Sequence, residues 1–370
     1  MSNFTIISKT AVPEYKAVGV YLRHRSGCLL YHLLNEDTEN LFAFAFRTPP
    51  ANSRGAAHII EHSVLSGSKR FPLKDPFVAL MKGSVNTFLN AMTYPDKTIY
   101  PASSTVEKDY FNLMQVYGDA CFFPLLREEI FHQEGRRYEV TPEGKLQLVG
   151  VVYNEMLGNY GDIDSIVGEW SYRSLFPDSP YRFDSGGEPE SIPDLTYQEF
   201  KQFHESYYHP SNCLIFLYGN IPTERQLEFI ETNFLSSFEP RETKLTIQNQ
   251  PRWSAPRSMK VSAPASDSEE GAAKSSITVN WLTCEVTDPK AVLSMEILTE
   301  MLLGNAGAPL QKAVVESRIG EDLSPQSGLE TDVKELVFTV GVRGTSPERR
   351  QDFERLLEEQ IGQLVANGIP

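Results

Sequence analysis

The first fifty residues alternate like β-strands. Over Ala17–Arg23, Cys28–Leu34 and Leu41–Phe46 apolar side chains recur at every second position, and the turn signals Arg25-Ser26-Gly27 and Asn35-Glu36-Asp37 separate the runs. The period then changes. After Pro49-Pro50 a stretch through His58, His62 and Leu65 has helical spacing, with Asn52 or Ser53 as its expected N-cap. A strand-like segment, Ser84–Thr93, is joined through Tyr94-Pro95-Asp96-Lys97 to another at Thr98–Tyr100. From Ser104 onward Val106, Tyr110, Leu113, Met114 and Tyr117 repeat at three to four residues, which predicts a helix. Helical patterns also fit Arg127–Tyr138, Val149–Tyr160, Tyr197–Tyr207 and Thr223–Leu235, with a strand at Cys213–Tyr218 between the last two.

Strands mixed with helices, without regular alternation, predict an α+β architecture rather than a doubly wound sheet. A chain of 370 residues suits two domains. The boundary is expected in the Pro-rich, polar stretch Phe238–Arg257, giving a first domain over 1–240, a linker over 241–256 and a second domain over 257–370. Within the second, Ala263–Ser276 reads as a solvated loop, strands return at Ile277–Leu282 and Leu336–Val342, and helices are expected near Pro289–Leu303 and Pro347–Ala366. The sequence stops at Asn367-Gly368-Ile369-Pro370, just past a helix where a strand would normally follow, so the second domain is expected to be incomplete.

Composition narrows the classes. Hydrophobic residues make up 41% and charged residues 22%, as in a soluble globular protein. Thirty-four basic against 49 acidic residues give a formal charge of −15, which argues against nucleic acid as a partner. No run is apolar and long enough for a membrane span, and the N-terminus has neither a signal-peptide nor a presequence pattern; a cytoplasmic location is expected. Cys28, Cys121, Cys213 and Cys284 are scattered without a C-x-x-C pair, so reduced, mostly buried thiols are expected.

The chemistry concentrates in His58-Ile59-Ile60-Glu61-His62. On a helix, residues four apart lie one above the other, so both imidazoles can reach one metal ion. Glu61, displaced by one position, can touch a metal-activated water without having to ligate, an inversion of the H-E-x-x-H order. A chance match in a chain this long is on the order of one per cent, so the motif is informative but insufficient. Two histidines on a helix can also be a satisfied polar patch. Three charge-capable residues among Ala, Ile, Val and Leu make that reading harder, since burying them without a metal or partners costs several kcal/mol.

A catalytic zinc needs a third protein ligand and an open position. Glu155, in the helical segment Gly150-Val151-Val152-Tyr153-Asn154-Glu155-Met156, is a candidate and the best of several, but spacing and periodicity do not single it out: Glu134, Glu139 and Asp162 would serve as well. The remaining histidines, His24, His32, His132, His204 and His209, read as structural or surface residues. The sequence has no G-x-S-x-G elbow and no G-x-x-x-x-G-K-[ST] loop, and Leu303-Gly304-Asn305-Ala306-Gly307 reads as a helix C-terminal turn.

Several separated blocks together resemble the pitrilysin-type inverzincin metallopeptidases, and among them the presequence protease subfamily. They are His58–His62, Leu65-Ser66-Gly67-Ser68, Lys74-Asp75-Pro76-Phe77, Phe88–Thr93, Pro95-Asp96, Tyr100-Pro101, Phe131, Gln133-Glu134-Gly135 and Gly150–Met156, with weaker similarity through Tyr207–Asn212 and beyond. The resemblance implies two similar domains, each a mostly antiparallel sheet with helices packed on one face. It implies one zinc ion held by His58, His62 and Glu155, with Glu61 as general base. It also implies that Leu89, Asn90, Ala91, Met92 and Thr93 form an edge strand that binds extended, unfolded peptide by strand addition. Phe131, Gln133 and Gly135 are implied to be architectural, and Arg136 stands where many relatives carry a tryptophan, which puts the packing there in question. Relatives of this kind have a further C-terminal half that closes over the site and supplies an Arg and a Tyr to the oxyanion; no residue here can be assigned to them. A non-catalytic structural subunit and a peptide-holding module are the two rival classes.

Overall fold

The computed structural model describes residues 3–243, 245–263 and 275–369; most of the loop expected at Ala263–Ser276 lies outside the described residues. The chain divides into two compact units, Met1–Met156 with Phe183–Thr246, and Leu157–Arg182 with Ile247–Pro370.

The first unit opens with β1 (Phe4–Val12), β2 (Ala17–His24), β3 (Leu29–Leu34) and β4 (Asn40–Arg47). Helices α1 (Ala56–Val64) and α2 (Pro76–Gly83) follow, then β5 (Phe88–Leu89), β6 (Met92–Thr93) and β7 (Lys97–Ser104). Next come α3 (Glu107–Phe122), α4 (Glu128–Glu134), the hairpin β8 (Arg137–Val140) with β9 (Leu146–Val149), and α5 (Val151–Asn159). After α6 (Ile163–Leu175), which belongs to the second unit, the first unit resumes with α7 (Tyr197–Tyr207), β10 (Cys213–Gly219) and α8 (Thr223–Asn233).

Eight of these strands form one sheet in the order β1-β2-β3-β10-β4-β7-β5, with β6 also on β7. Its pairings are antiparallel except β10 with β3. The period-two pattern of β4 explains the core. Phe42, Phe44 and Phe46 fall on one face and are buried, while Ala43 and Ala45 occupy the other. Helix α3 covers β4 and β7, and its Tyr110 and Tyr117 meet Phe42 edge-on with centroids 5.6 and 5.7 Å apart. Such aromatic pairs add about 1 kcal/mol beyond their area burial, which makes this cluster a stiff floor.

In the second unit β11 (Ser275–Glu285), α9 (Pro289–Leu303), α10 (Pro309–Ser317), β12 (Asp322–Leu323), β13 (Gly328–Glu330), β14 (Glu335–Thr345) and α11 (Arg350–Asn367) follow one another. β11, β12 and β13 all pair antiparallel with β14. Leu302, Leu310, Val314, Val340 and Phe353 fill one core, and Leu175, Phe176, Tyr181, Val333 and Val337 a second. That second cluster is why residues 157–182 group with this unit, although the sequence places them before residue 240. Among the described residues no helix is long and apolar enough to cross a membrane.

Three local expectations are corrected, and one helix was not expected. The N-cap of α1 is Gly55, at φ 71°, instead of Asn52 or Ser53; Ser53 Oγ accepts from the Asp184 amide and Asn52 from that of Arg54. The strand expected over Ser84–Thr93 is reduced to β5 and β6, because Asn90 turns its side chain onto the Ala91 amide between them. The helix expected over Arg127–Tyr138 stops at Glu134, and Arg137–Val140 is a strand. Helix α6 was not foreseen, although Asp162 caps it through the Ser165 amide.

The histidines expected to be structural are hydrogen-bonded. His32 Nδ1 lies 2.8 Å from Thr223 Oγ1, and His204 Nε2 donates to the Cys121 carbonyl at 2.9 Å. Burial pushes both pKa values down to about 4. Their stabilising contribution is therefore complete above the unfolded pKa of 6.5 and is lost as pH falls toward 4. Urea unfolding is expected to show stability falling by about 2 kcal/mol per histidine between pH 7 and pH 4.5. His204→Gln should remove part of that slope; an unchanged slope would count against this account.

Candidate metal centre

Helix α1 presents the motif. It packs on α4 and α7, with Ile59, Ile60 and Val64 fully buried and His58 and Glu61 almost so. The His58 and His62 rings stand one turn apart, with centroids 5.0 Å from each other. Helix α5 brings Glu155 to them: its Oε1 lies 3.7 Å from His58 Nε2 and its Oε2 3.9 Å from His62 Nε2. One ligand atom from each of these three side chains falls within 4.8 Å of the others. Among the described residues this is the group capable of holding a metal.

The far nitrogens fix the rings. His58 Nδ1 faces the Gly186 carbonyl at 3.3 Å, and His62 Nδ1 faces Glu134 Oε2 at 3.2 Å. An acceptor at Nδ1 keeps the proton there and leaves Nε2 of both rings turned toward Glu155. Gln133 Nε2 donates to Glu134 Oε1 at 2.8 Å, holding that carboxylate in turn. Burial alone would lower the pKa of His62, but the Glu134 hydrogen bond and the charges of Glu61, Glu134 and Glu155 outweigh it and raise the pKa above 6.5. Thr93 Oγ1 donates to Glu61 Oε2 at 2.8 Å.

Of the rival third ligands, Glu134 contacts the wrong nitrogen of His62 to share a metal with Nε2. Glu139 pairs with Arg137 on β8, and Asp162 serves as the cap of α6. Leu89 to Thr93 lie at the sheet edge, half-buried or exposed, with β5 and β6 paired to β7 on one side. Arg136 is accommodated by donating Nε to the Pro193 carbonyl at 3.0 Å. Phe131 is buried against Tyr197 and Phe200. Sequence reasoning missed the Gly186 carbonyl, the link from Thr93 to Glu61, and the position of Glu134 behind His62. The Gly186-Gly187 pair was the available signal for the first.

Two glycine contacts set these distances. A Cβ on Gly55 would stand 2.8 Å from the Gly186 carbonyl oxygen, so only glycine lets the start of α1 approach the loop that holds His58. A Cβ on Gly150, just before α5, would fall onto the Gly135 carbonyl at the end of α4.

The chain belongs to peptidase family M16. Residues 47–148 match the family model described as insulinase (peptidase family M16), and residues 194–370 match the one described as peptidase M16 inactive domain. Within the family it is presequence-protease-like. It is 38% identical over 375 residues to the mitochondrial presequence protease of Xenopus tropicalis, covering 99% of this chain and 36% of that protein. It is 42% identical over 371 residues to an uncharacterized protein of Borreliella burgdorferi, covering 99% of this chain and 37% of that protein. The chain thus spans little more than a third of the length of these relatives. The crystal structure of pitrilysin superposes with a TM-score of 0.67 at 18% identity, over 100% of this chain and 38% of that one, and shows the same α+β fold.

Gly150→Ala is expected to lower folding stability by about 1–3 kcal/mol, as overpacking against backbone does. Gly158→Ala, within α5 and with open space around it, should leave stability unchanged or slightly higher. Equal denaturation midpoints for the two variants would refute the close-approach argument.

Proposed function

We propose that this chain carries the zinc centre of an endopeptidase that hydrolyses short, unstructured peptides, with His58, His62 and Glu155 as ligands. The observation that carries the reading is the convergence of both Nε2 atoms on the Glu155 carboxylate. The donor set fits the ion. Two neutral imidazoles and one carboxylate are a catalytic zinc set, and zinc–ligand bonds of about 2.0–2.2 Å bring tetrahedral donors to roughly 3.3 Å from one another. Separations of 3.7 and 3.9 Å need only a small inward movement to reach that.

Zinc, when bound, supplies Lewis acidity, lowering the pKa of a water toward about 7 and polarising a carbonyl. The chain's own residues do the rest. Glu61, fixed by Thr93, accepts the proton of the attacking water and returns it to the leaving amine. The backbone of Leu89–Thr93 pairs with extended peptide, which orients the scissile bond with little demand on side-chain sequence. Glu134 and Gly186 hold the ligand rings.

A second reading, a peptide-holding module without turnover, draws on the length of the relatives, of which this chain spans 36–37%. One experiment separates the two. The zinc-loaded chain is incubated with an unstructured peptide, with and without a chelator, and fragments are followed by mass spectrometry. Chelator-sensitive cleavage is expected; peptide binding with one zinc and no fragments would favour the module. Glu61→Gln should keep zinc and lose turnover by about 10²-fold or more, and full activity in that variant would remove Glu61 as the base. Glu134→Gln should weaken zinc affinity about 10–100-fold in a chelator competition. An unaltered affinity would limit Glu134 to packing.

A further inference from the structure

We infer that Thr93 is a positioning residue for the general base, so that one hairpin both receives the peptide and aims Glu61. The inference rests on the peptidase reading above and goes beyond it, since that reading uses Leu89–Thr93 through the backbone. Thr93 ends β6, where successive side chains point to opposite faces. Its hydroxyl donates to Glu61 Oε2 at 2.8 Å. Glu61 is nearly buried on α1, and the Thr93 side chain donates to its carboxylate.

The hydroxyl is well supported. Thr93 pairs in register with Thr98, which is fully buried and whose Oγ1 lies 2.8 Å from that of Thr48. The connecting turn is closed by the Tyr94 amide donating to the Lys97 carbonyl at 2.8 Å and by the Thr48 amide donating to that of Asp96 at 2.7 Å. A β-branched side chain on such a strand has a restricted χ1, so the hydroxyl is aimed without being held by a further partner. Glutamate is otherwise a flexible base: with one carboxylate oxygen fixed, the other stays available for the water. Peptide added to the outer edge of β6 would stiffen the segment that carries Thr93, which links occupation of the edge to alignment of the base.

The test uses the zinc-loaded 370-residue chain and three forms, wild type, Thr93→Val and Thr93→Ser. Valine keeps the shape and removes the donor; serine keeps the donor. Thr93→Val is expected to lower kcat about 10–100-fold with KM and zinc stoichiometry unchanged, and Thr93→Ser to restore most of the rate. A Thr93→Val enzyme with wild-type kcat, or a loss confined to KM, would overturn the inference. So would a loss that serine fails to rescue. Crystal structures of the zinc-loaded wild type and Thr93→Val supply a readout that needs no turnover. The Glu61 carboxylate should leave its wild-type orientation in the variant, and an unmoved carboxylate overturns the inference. If the wild type binds zinc but cuts nothing, the peptidase reading fails for this chain, and the two crystal structures alone decide the role of Thr93.

Discussion

Three carboxylates, Glu61, Glu134 and Glu155, converge on two imidazoles, and two of the three are nearly buried. Buried like charges are among the most expensive arrangements a fold can hold, and they persist when a cation balances them. Two cations are chemically available here. One is a proton on His62, which the raised pKa of that residue already favours. The other is a divalent ion between the two Nε2 atoms and Glu155. The acceptors at Nδ1 suit the second: a proton held on each far nitrogen would leave both near nitrogens with lone pairs directed to a common point. On the zinc reading, the excess negative charge and the ring orientation work together, the first calling for a cation and the second offering it two lone pairs.

Holding that arrangement is a backbone problem before it is a side-chain problem. The five residues come from α1, α4 and α5, spread over nearly a hundred positions, and each must arrive within a few tenths of an ångström. The sheet provides the fixed frame, since the aromatic face of β4 leaves α3 little freedom to shift. Glycine provides the last approach, at Gly55 against Gly186 and at Gly150 against Gly135. The hairpin β8–β9 between α4 and α5 follows from the second contact. With Gly135 and Gly150 touching, the intervening chain must leave and return at one point, and two short antiparallel strands do so while satisfying their own backbone groups.

This explains what the sequence disclosed and what it withheld. The strands β2, β3, β4 and β10 and the helices α7 and α9 were legible because alternation or helical periodicity was strong, and the imidazole pair was legible because i and i+4 on a helix coincide in space. Glu155 could not be told from Glu134, Glu139 or Asp162 by periodicity, since all lie beside helical patterns; resemblance to relatives selected it, and of the four it is the one whose carboxylate lies within 4.8 Å of a ligand atom of both His58 and His62. The glycine N-cap of α1 was hidden because the pressure for glycine there comes from Gly186, over 130 residues away. The strand across Ser84–Thr93 was overdrawn because apolar spacing does not register the Asn90 side chain turning onto its own chain. Local pattern fixed the elements, while close approaches between distant segments fixed their ends.

The broken edge at β5 and β6 then has a physical rationale on the peptidase reading. An open sheet edge is a hazard, because any extended chain can pair with it. Splitting it into two-residue strands, interrupted at Asn90-Ala91, leaves too little flat edge for another folded protein's strand to dock along its length. A flexible peptide can still follow the break, because it has no sheet of its own to keep straight. Such an edge would discriminate by conformation, accepting chains that are unfolded and rejecting those that are not, before any side chain is consulted. On the same reading, Glu61 meets the inner side of this segment through Thr93, so that selection and chemistry would stand a single hydrogen bond apart.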